Sequence, residues 1–101
     1  MSRNVIYAII CKRCAMAYIG ETGRRLADRF CEHLYSIKNH SGHPVDVHFN
    51  STGHRGVQDI QVTTIKSCFS DDRTRLALEN RYIYLYGTLK PDGINERLSH
   101  I

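Results

Sequence analysis

No run of apolar residues in this 101-residue chain approaches the ~20 that a helix needs to cross a bilayer. The opening residues, Met1 to Asn4 and then an apolar stretch ending at Cys11, are too short and too early for a secretory signal. The expectation is therefore an intracellular protein. Repeats, low-complexity tracts and linkers are missing, and the chain holds only two prolines. The length leaves room for one domain with one small core and excludes a second. Charge of one sign is also scarce: 14 Lys+Arg against 10 Asp+Glu give a net +4, which permits an anionic partner without identifying one. What is present is ordinary for a soluble folded chain, with 42% hydrophobic and 24% charged residues, so disorder is excluded as a description of the whole.

Four cysteines and six histidines are the first unusual feature. Cys11 and Cys14 form a C-x-x-C, Cys31 and Cys68 stand apart, and His33, His40, His43, His48 and His54 crowd one stretch. A secreted chain with this many cysteines would read as a disulfide framework. In a reducing compartment, paired cysteines are more often metal ligands. Cys31 and Cys68 read as small core residues.

Asn4 to Ile10 is rich in β-branched and aromatic residues and predicts a buried strand, and Met16 to Gly20 predicts a second. Their short link makes an antiparallel hairpin. From Gly23 to Lys38 the pattern turns helical: Leu26, Phe30, Leu34 and Ile37 make one apolar stripe, with Thr22 as N-cap. Pro44 suits the first turn of a short helix through Ser51. Gln58 to Lys66 alternates as a third strand, and Ser70 or Asp71 caps a last helix ending near Tyr86. The order ββααβα predicts an α+β fold, a small three-stranded antiparallel β-sheet flanked by helices.

Two anomalies ask for a functional reason. On the last helix, Leu76, Ile83 and Tyr86 share a face, and Glu79 falls on the same stripe. A carboxylate facing a core is costly unless paired, protonated or metal-bound. The plain alternative is an ion pair with Arg75 or Arg81. On the first helix, Arg25, Arg29 and His33 form a polar ridge at i, i+4, i+8. Arginine offers a bidentate fork for phosphate, and histidine moves a proton near neutral pH. The plain alternative is a solvated face balanced by Asp28 and Glu32.

Together with the hairpin, these residues resemble the GIY-YIG nuclease family. Val5-Ile6-Tyr7 stands for the first tyrosine motif and Tyr18-Ile19-Gly20 for the second, and the likeness runs in order from about Asn4 to Asn95. Tyr18 to Arg24, the intervening C-x-x-C, the His48 to His54 segment and the Gly87 to Glu96 ending are similar to the endonuclease domain of Penelope-like retroelements. Such domains follow a reverse transcriptase, so this chain is read as an excised domain, a fragment or a free-standing descendant.

The resemblance implies a DNA endonuclease that hydrolyses phosphodiester bonds. Glu79 matches the family's metal carboxylate and would hold Mg²⁺ or Mn²⁺. Arg29 matches the arginine that stabilises charge on phosphate oxygens. Tyr7 matches the water-positioning group or general base, with Tyr18 and His33 beside it. Asn95 matches a late polar residue supporting the site. An ordinary tyrosine, with a pKa of about 10, acts as base only if something lowers it. The sequence departs from the family pattern at Val5, in place of the motif's first glycine, and at Glu21, in place of a lysine found in some members.

Cys11, Cys14, His48 and His54 supply the ligand set of a structural tetrahedral Zn²⁺, spaced like the CCHH site expected of Penelope-type endonucleases. Zinc there would staple the hairpin turn to the second helix in a chain whose core is small. His40 and His43 are alternative ligands or phosphate contacts. Arg24, Arg25, Lys38 and the histidine-rich segment are the expected DNA contacts. The reading is a domain at 1–101 that nicks one strand, acting in the nucleus as a monomer or transient dimer with a reverse transcriptase normally fused upstream. Its rival is a non-catalytic zinc-stabilised nucleic-acid-binding module, and a third possibility is a secreted disulfide-rich domain.

Overall fold

The computed structural model describes residues 3–67 and 71–96. The chain forms strand β1 (Val5–Cys11), strand β2 (Ala17–Thr22), helix α1 (Leu26–Asn39) and short helix α2 (Pro44–Phe49). A 3₁₀ turn (Gly56–Asp59), strand β3 (Ile60–Ser67) and helix α3 (Asp72–Tyr86) follow. The expected α+β class forms. The sheet order is β2-β1-β3, and both outer strands run antiparallel to β1.

β1 takes the centre because it is apolar on both faces, and a strand buried on both sides reads as a continuous hydrophobic run. Alternation then sorts its side chains. Val5, Tyr7, Ile9 and Cys11 face a core shared with Ile37, Val45 and Phe49 from α1 and α2. Ile6 and Ala8 face the other way, with Ile19, onto Ile83 of α3. The sheet thus separates two small cores, and α1 and α3 lie on opposite faces of it.

The α1 stripe packs as expected, with Ile37 buried and Leu26, Phe30 and Leu34 partly buried against the first core. Its start differs from expectation. β2 continues through Thr22, whose hydroxyl accepts from the Arg24 N–H at 3.1 Å. The N-cap is Arg25, without a side-chain cap bond. α2 begins at Pro44 and stops at Phe49, short of Ser51. The 3₁₀ turn occupies the expected start of the third strand, where Gly56 adopts a positive φ of 64°. Asp71 caps α3, accepting from the Arg73 N–H at 2.9 Å. Cys31 is exposed, not a core residue, because α1 turns it away from its apolar stripe. Cys68 lies outside the described residues.

The expected phase of α3 is also corrected. Tyr86 is 61% exposed and Leu76 only partly buried. The residues turned inward are Arg75, Glu79 and Ile83, at i, i+4 and i+8. Glu79 is therefore buried, but between an arginine and an isoleucine.

Candidate active site and metal cluster

Tyr7 on β1 pairs across the ladder with Gly20 on β2. A Cβ at Gly20 would lie 2.5 Å from the Tyr7 Cζ and Oη, so the missing side chain is the space the tyrosine ring occupies. The Tyr7 hydroxyl lies 2.7 Å from His33 Nε2 on α1, and both residues are almost wholly buried. Burial, then the positive charge of Arg29 and the neighbouring His43, pull the His33 pKa down to about 3. His33 is neutral at pH 7, and the assignment that fits is Tyr7 donating to its Nε2.

The Tyr18 ring meets His33 and His43 edge-on, with centroids 5.8 and 5.6 Å apart, and the two imidazoles are 5.5 Å apart. Burial pushes Tyr7 above its ordinary range, against the nearby Arg29 guanidinium. Tyr18 rises to about 12 through burial and the charge of Glu79, with Arg29 again opposing. Glu79 is thus close enough to act on both phenols. Arg29 is partly buried and bonds Glu32 at 2.9 Å. Tyr7, Tyr18, Arg29, His33 and Glu79 share one neighbourhood, and His43 joins them. Its Nδ1 accepts from the Val45 N–H at 3.1 Å, capping α2.

Arg75, the ion-pair partner considered for Glu79, directs its guanidinium to Glu21 at 2.6 Å, to Asn4 at 3.0 Å and to Asp72. Glu21 therefore locks β2 to α3. Asn95 holds the backbone of Ile19 from both sides. Its Oδ1 accepts from the Ile19 N–H at 2.8 Å and its Nδ2 donates to the Ile19 carbonyl at 3.1 Å. Thr88, part of the Gly87 to Glu96 ending but given no role by the sequence, donates to the same Oδ1 at 2.7 Å. Asn95 acts on the residue next to Tyr18 and so positions it.

Cys11, Cys14, His48 and His54 each bring one ligand atom to within 4.8 Å of the others. A tetrahedral ion with bonds of about 2.0–2.3 Å sets its ligand atoms roughly 3.3–3.8 Å apart, so little closure is needed. Cys14 Sγ is already 3.4 Å from His48 Nε2. His54 Nδ1 is occupied by the Ser51 hydroxyl at 3.1 Å and the Thr52 carbonyl at 3.4 Å. Its Nε2 is buried without a hydrogen-bond partner. One nitrogen oriented and the other unsatisfied is the arrangement of a metal-bound histidine. Burial works against the Cys14 thiolate, but the adjacent His54 imidazole and the Met16 backbone outweigh it and lower the pKa. This donor set suits Zn²⁺. His40 and His43 are not part of it: His40 ends α1 in a left-handed conformation, exposed, and His43 faces Tyr18. Cys11, Cys14 and Cys31 are free thiols.

Of the expected DNA contacts, Arg24 pairs with Glu32 at 2.7 Å, Arg25 with Asp28 at 3.1 Å, and Lys38 is exposed near the end of α1. Arg25 donates through both Nε and Nη2 to Asp28.

Residues 3–95 match the family model of the GIY-YIG catalytic domain. The chain therefore belongs to the GIY-YIG family and is an enzyme domain of the endonuclease type. Two solved structures are similar over nearly the whole chain. The catalytic domain of homing endonuclease I-TevI is 18% identical with a TM-score of 0.77, covering 94% of this chain and 99% of that one. A point mutant of the catalytic domain of intron endonuclease I-TevI is 17% identical with a TM-score of 0.80, covering 98% of each. At these identities the likeness establishes a shared fold. No curated protein matches the sequence.

Proposed function

We propose that this chain is a divalent-metal-dependent DNA endonuclease domain that nicks one strand at a time, of the Penelope-like retroelement type. The observation that carries the reading is the Tyr7–His33 contact of 2.7 Å, inside a group that also holds Tyr18, Arg29 and Glu79. Glu79 is a single buried carboxylate, which suits Mg²⁺ or Mn²⁺ with waters filling the remaining positions. When bound, that ion supplies Lewis acidity at the scissile phosphate.

The chain's own groups do the rest. Tyr7 alone is no base, because burial favours its protonated form. The Tyr7 hydroxyl commits its proton to the hydrogen bond with neutral His33, so the phenol oxygen is left to accept a hydrogen bond from an approaching water and orient it. The Arg29 guanidinium faces charge on the non-bridging phosphate oxygens. Tyr18 and His43 orient water at the mouth of the site, and Asn95 fixes the strand beneath Tyr18.

Zn²⁺ held by Cys11, Cys14, His48 and His54 ties the hairpin turn to the segment around α2. DNA lies along Arg24, Arg25, Lys38 and the histidine-rich segment; the two arginines exchange exposed carboxylate partners for phosphate. One such site addresses one phosphate, which supports nicking by a monomer, and a transient dimer would cut both strands. The Tyr18 to Arg24 motif and the C-x-x-C support the retroelement context, with a reverse transcriptase as fusion partner and the nucleus as place of action.

The test is conversion of supercoiled plasmid to open circle in Mg²⁺ or Mn²⁺. Wild type nicks and Glu79→Ala does not. A folded, zinc-loaded wild type that binds DNA without nicking overturns the reading in favour of a non-catalytic binding module.

A further inference from the structure

Asp59 closes the 3₁₀ turn with none of its surface exposed. Its carboxylate is engaged from two sides. Oδ2 accepts from the Arg55 backbone N–H at 2.7 Å and meets Arg13 Nε at 3.4 Å. Oδ1 accepts from Arg55 Nε at 3.0 Å and Nη2 at 2.8 Å. Its backbone carbonyl accepts from the Lys12 N–H at 2.8 Å.

The sequence neighbours of these partners are the point. Lys12 follows Cys11, Arg13 precedes Cys14, and Arg55 follows His54. One residue therefore grips the chain directly beside three of the four members of the Cys–His cluster. It joins the hairpin turn to the loop after α2 by a route outside the cluster itself. Burying a carboxylate among arginines is a poor source of net stability, since desolvation offsets most of the attraction. Directional bonds do fix geometry: Arg55 holds the carboxylate within its own loop, and the Lys12 N–H on the Asp59 carbonyl and the 3.4 Å contact with Arg13 carry that loop to the hairpin turn. The cost of ordering the two segments is then met on folding and not on binding, which raises affinity for whatever the segments hold.

We propose that Asp59 is a positioning residue for the Cys11–Cys14–His48–His54 metal site, holding its two arms together so that the four ligands converge before an ion arrives. The inference rests on the zinc reading above. The test uses the full chain and reads Zn²⁺ affinity by chelator competition. The Co²⁺ ligand-field spectrum reports coordination geometry, and urea unfolding of the metal-free chain reports stability.

Asp59→Asn is expected to weaken Zn²⁺ binding by up to about tenfold, the low end of the cost of losing a group bonded to a ligand itself, because Asp59 bonds the ligands' chain neighbours and not the ligands. Arg13→Gln, at an exposed position, is expected to weaken it by a smaller factor in the same direction, and it decides the matter if Asp59→Asn does not fold. A role in general stability alone lowers the metal-free and metal-bound chains equally and leaves affinity unchanged. Unchanged affinity and an unchanged Co²⁺ spectrum in these variants overturn the proposal while the zinc reading stands. A wild type that takes up neither Zn²⁺ nor Co²⁺ overturns both.

Discussion

His33 shows how one buried side chain sets both chemistry and acid stability. Its pKa falls from an ordinary value near 6.5 to about 3, by burial first and the neighbouring charges second. Between these values the unfolded chain binds a proton that the folded chain refuses. The His33 contribution to stability is therefore complete above about pH 6.5 and is lost as pH falls, by up to about 1.4 kcal/mol per pH unit. Urea unfolding between pH 7.5 and 5 should show wild type losing stability more steeply than His33→Gln; parallel curves would count against a neutral buried imidazole. Tyr7→Phe removes only the hydroxyl on His33. It should cost about 1 kcal/mol of stability yet lower nicking by about 10²- to 10⁴-fold, as measured by plasmid relaxation on protein of matched foldedness.

At the scale of elements, the close approach of β1 and β2 at Tyr7 and Gly20 is the tightest constraint on the site. Gly20→Ala forces the tyrosine ring aside and should cost about 1–3 kcal/mol, with nicking falling further than stability explains. Equal nicking by the folded variant would show that the ring has room to move. The strands were legible because their β-branched and aromatic residues leave no other period, and α1 because its four apolar positions keep one phase. α3 was legible as a helix but not in phase. Leu76, Leu78, Tyr82, Ile83, Tyr84, Leu85 and Tyr86 surround its axis, so periodicity alone could not choose the inward face. Its rotation is set by Arg75 reaching Glu21 and Asn4, 54 and 71 residues away in sequence. Polar pairings of that range leave no trace in local pattern. For the same reason the sequence pointed to Tyr7, Arg29, His33 and Glu79 by motif and spacing but missed Asp59 and Thr88.

For the whole molecule, the two cores on either side of the sheet are each small. A 101-residue chain of this kind gains much from a metal staple between distant segments. Chelation of Zn²⁺ should lower Tm, and stoichiometric Zn²⁺ should restore it; a Tm indifferent to chelator would show the cluster carries no stability. DNA affinity should drop steeply with salt, since the expected contacts are to phosphates. No helix among the described residues is long and apolar enough to cross a membrane.

The same sheet has two outer strands, and their edges differ in what lies beside them. Along β2, the Ile94 N–H bonds the Ala17 carbonyl at 2.9 Å. One step further, the Asn95 side-chain amide bonds the Ile19 N–H and carbonyl as a peptide group would. An open strand edge is a template for intermolecular pairing. Asn95 is thus a molecular stopper as well as a support for Tyr18. Replacing it with leucine would bare two backbone groups and invite sheet-to-sheet growth, so that lost activity and lost solubility would arrive together from one side chain.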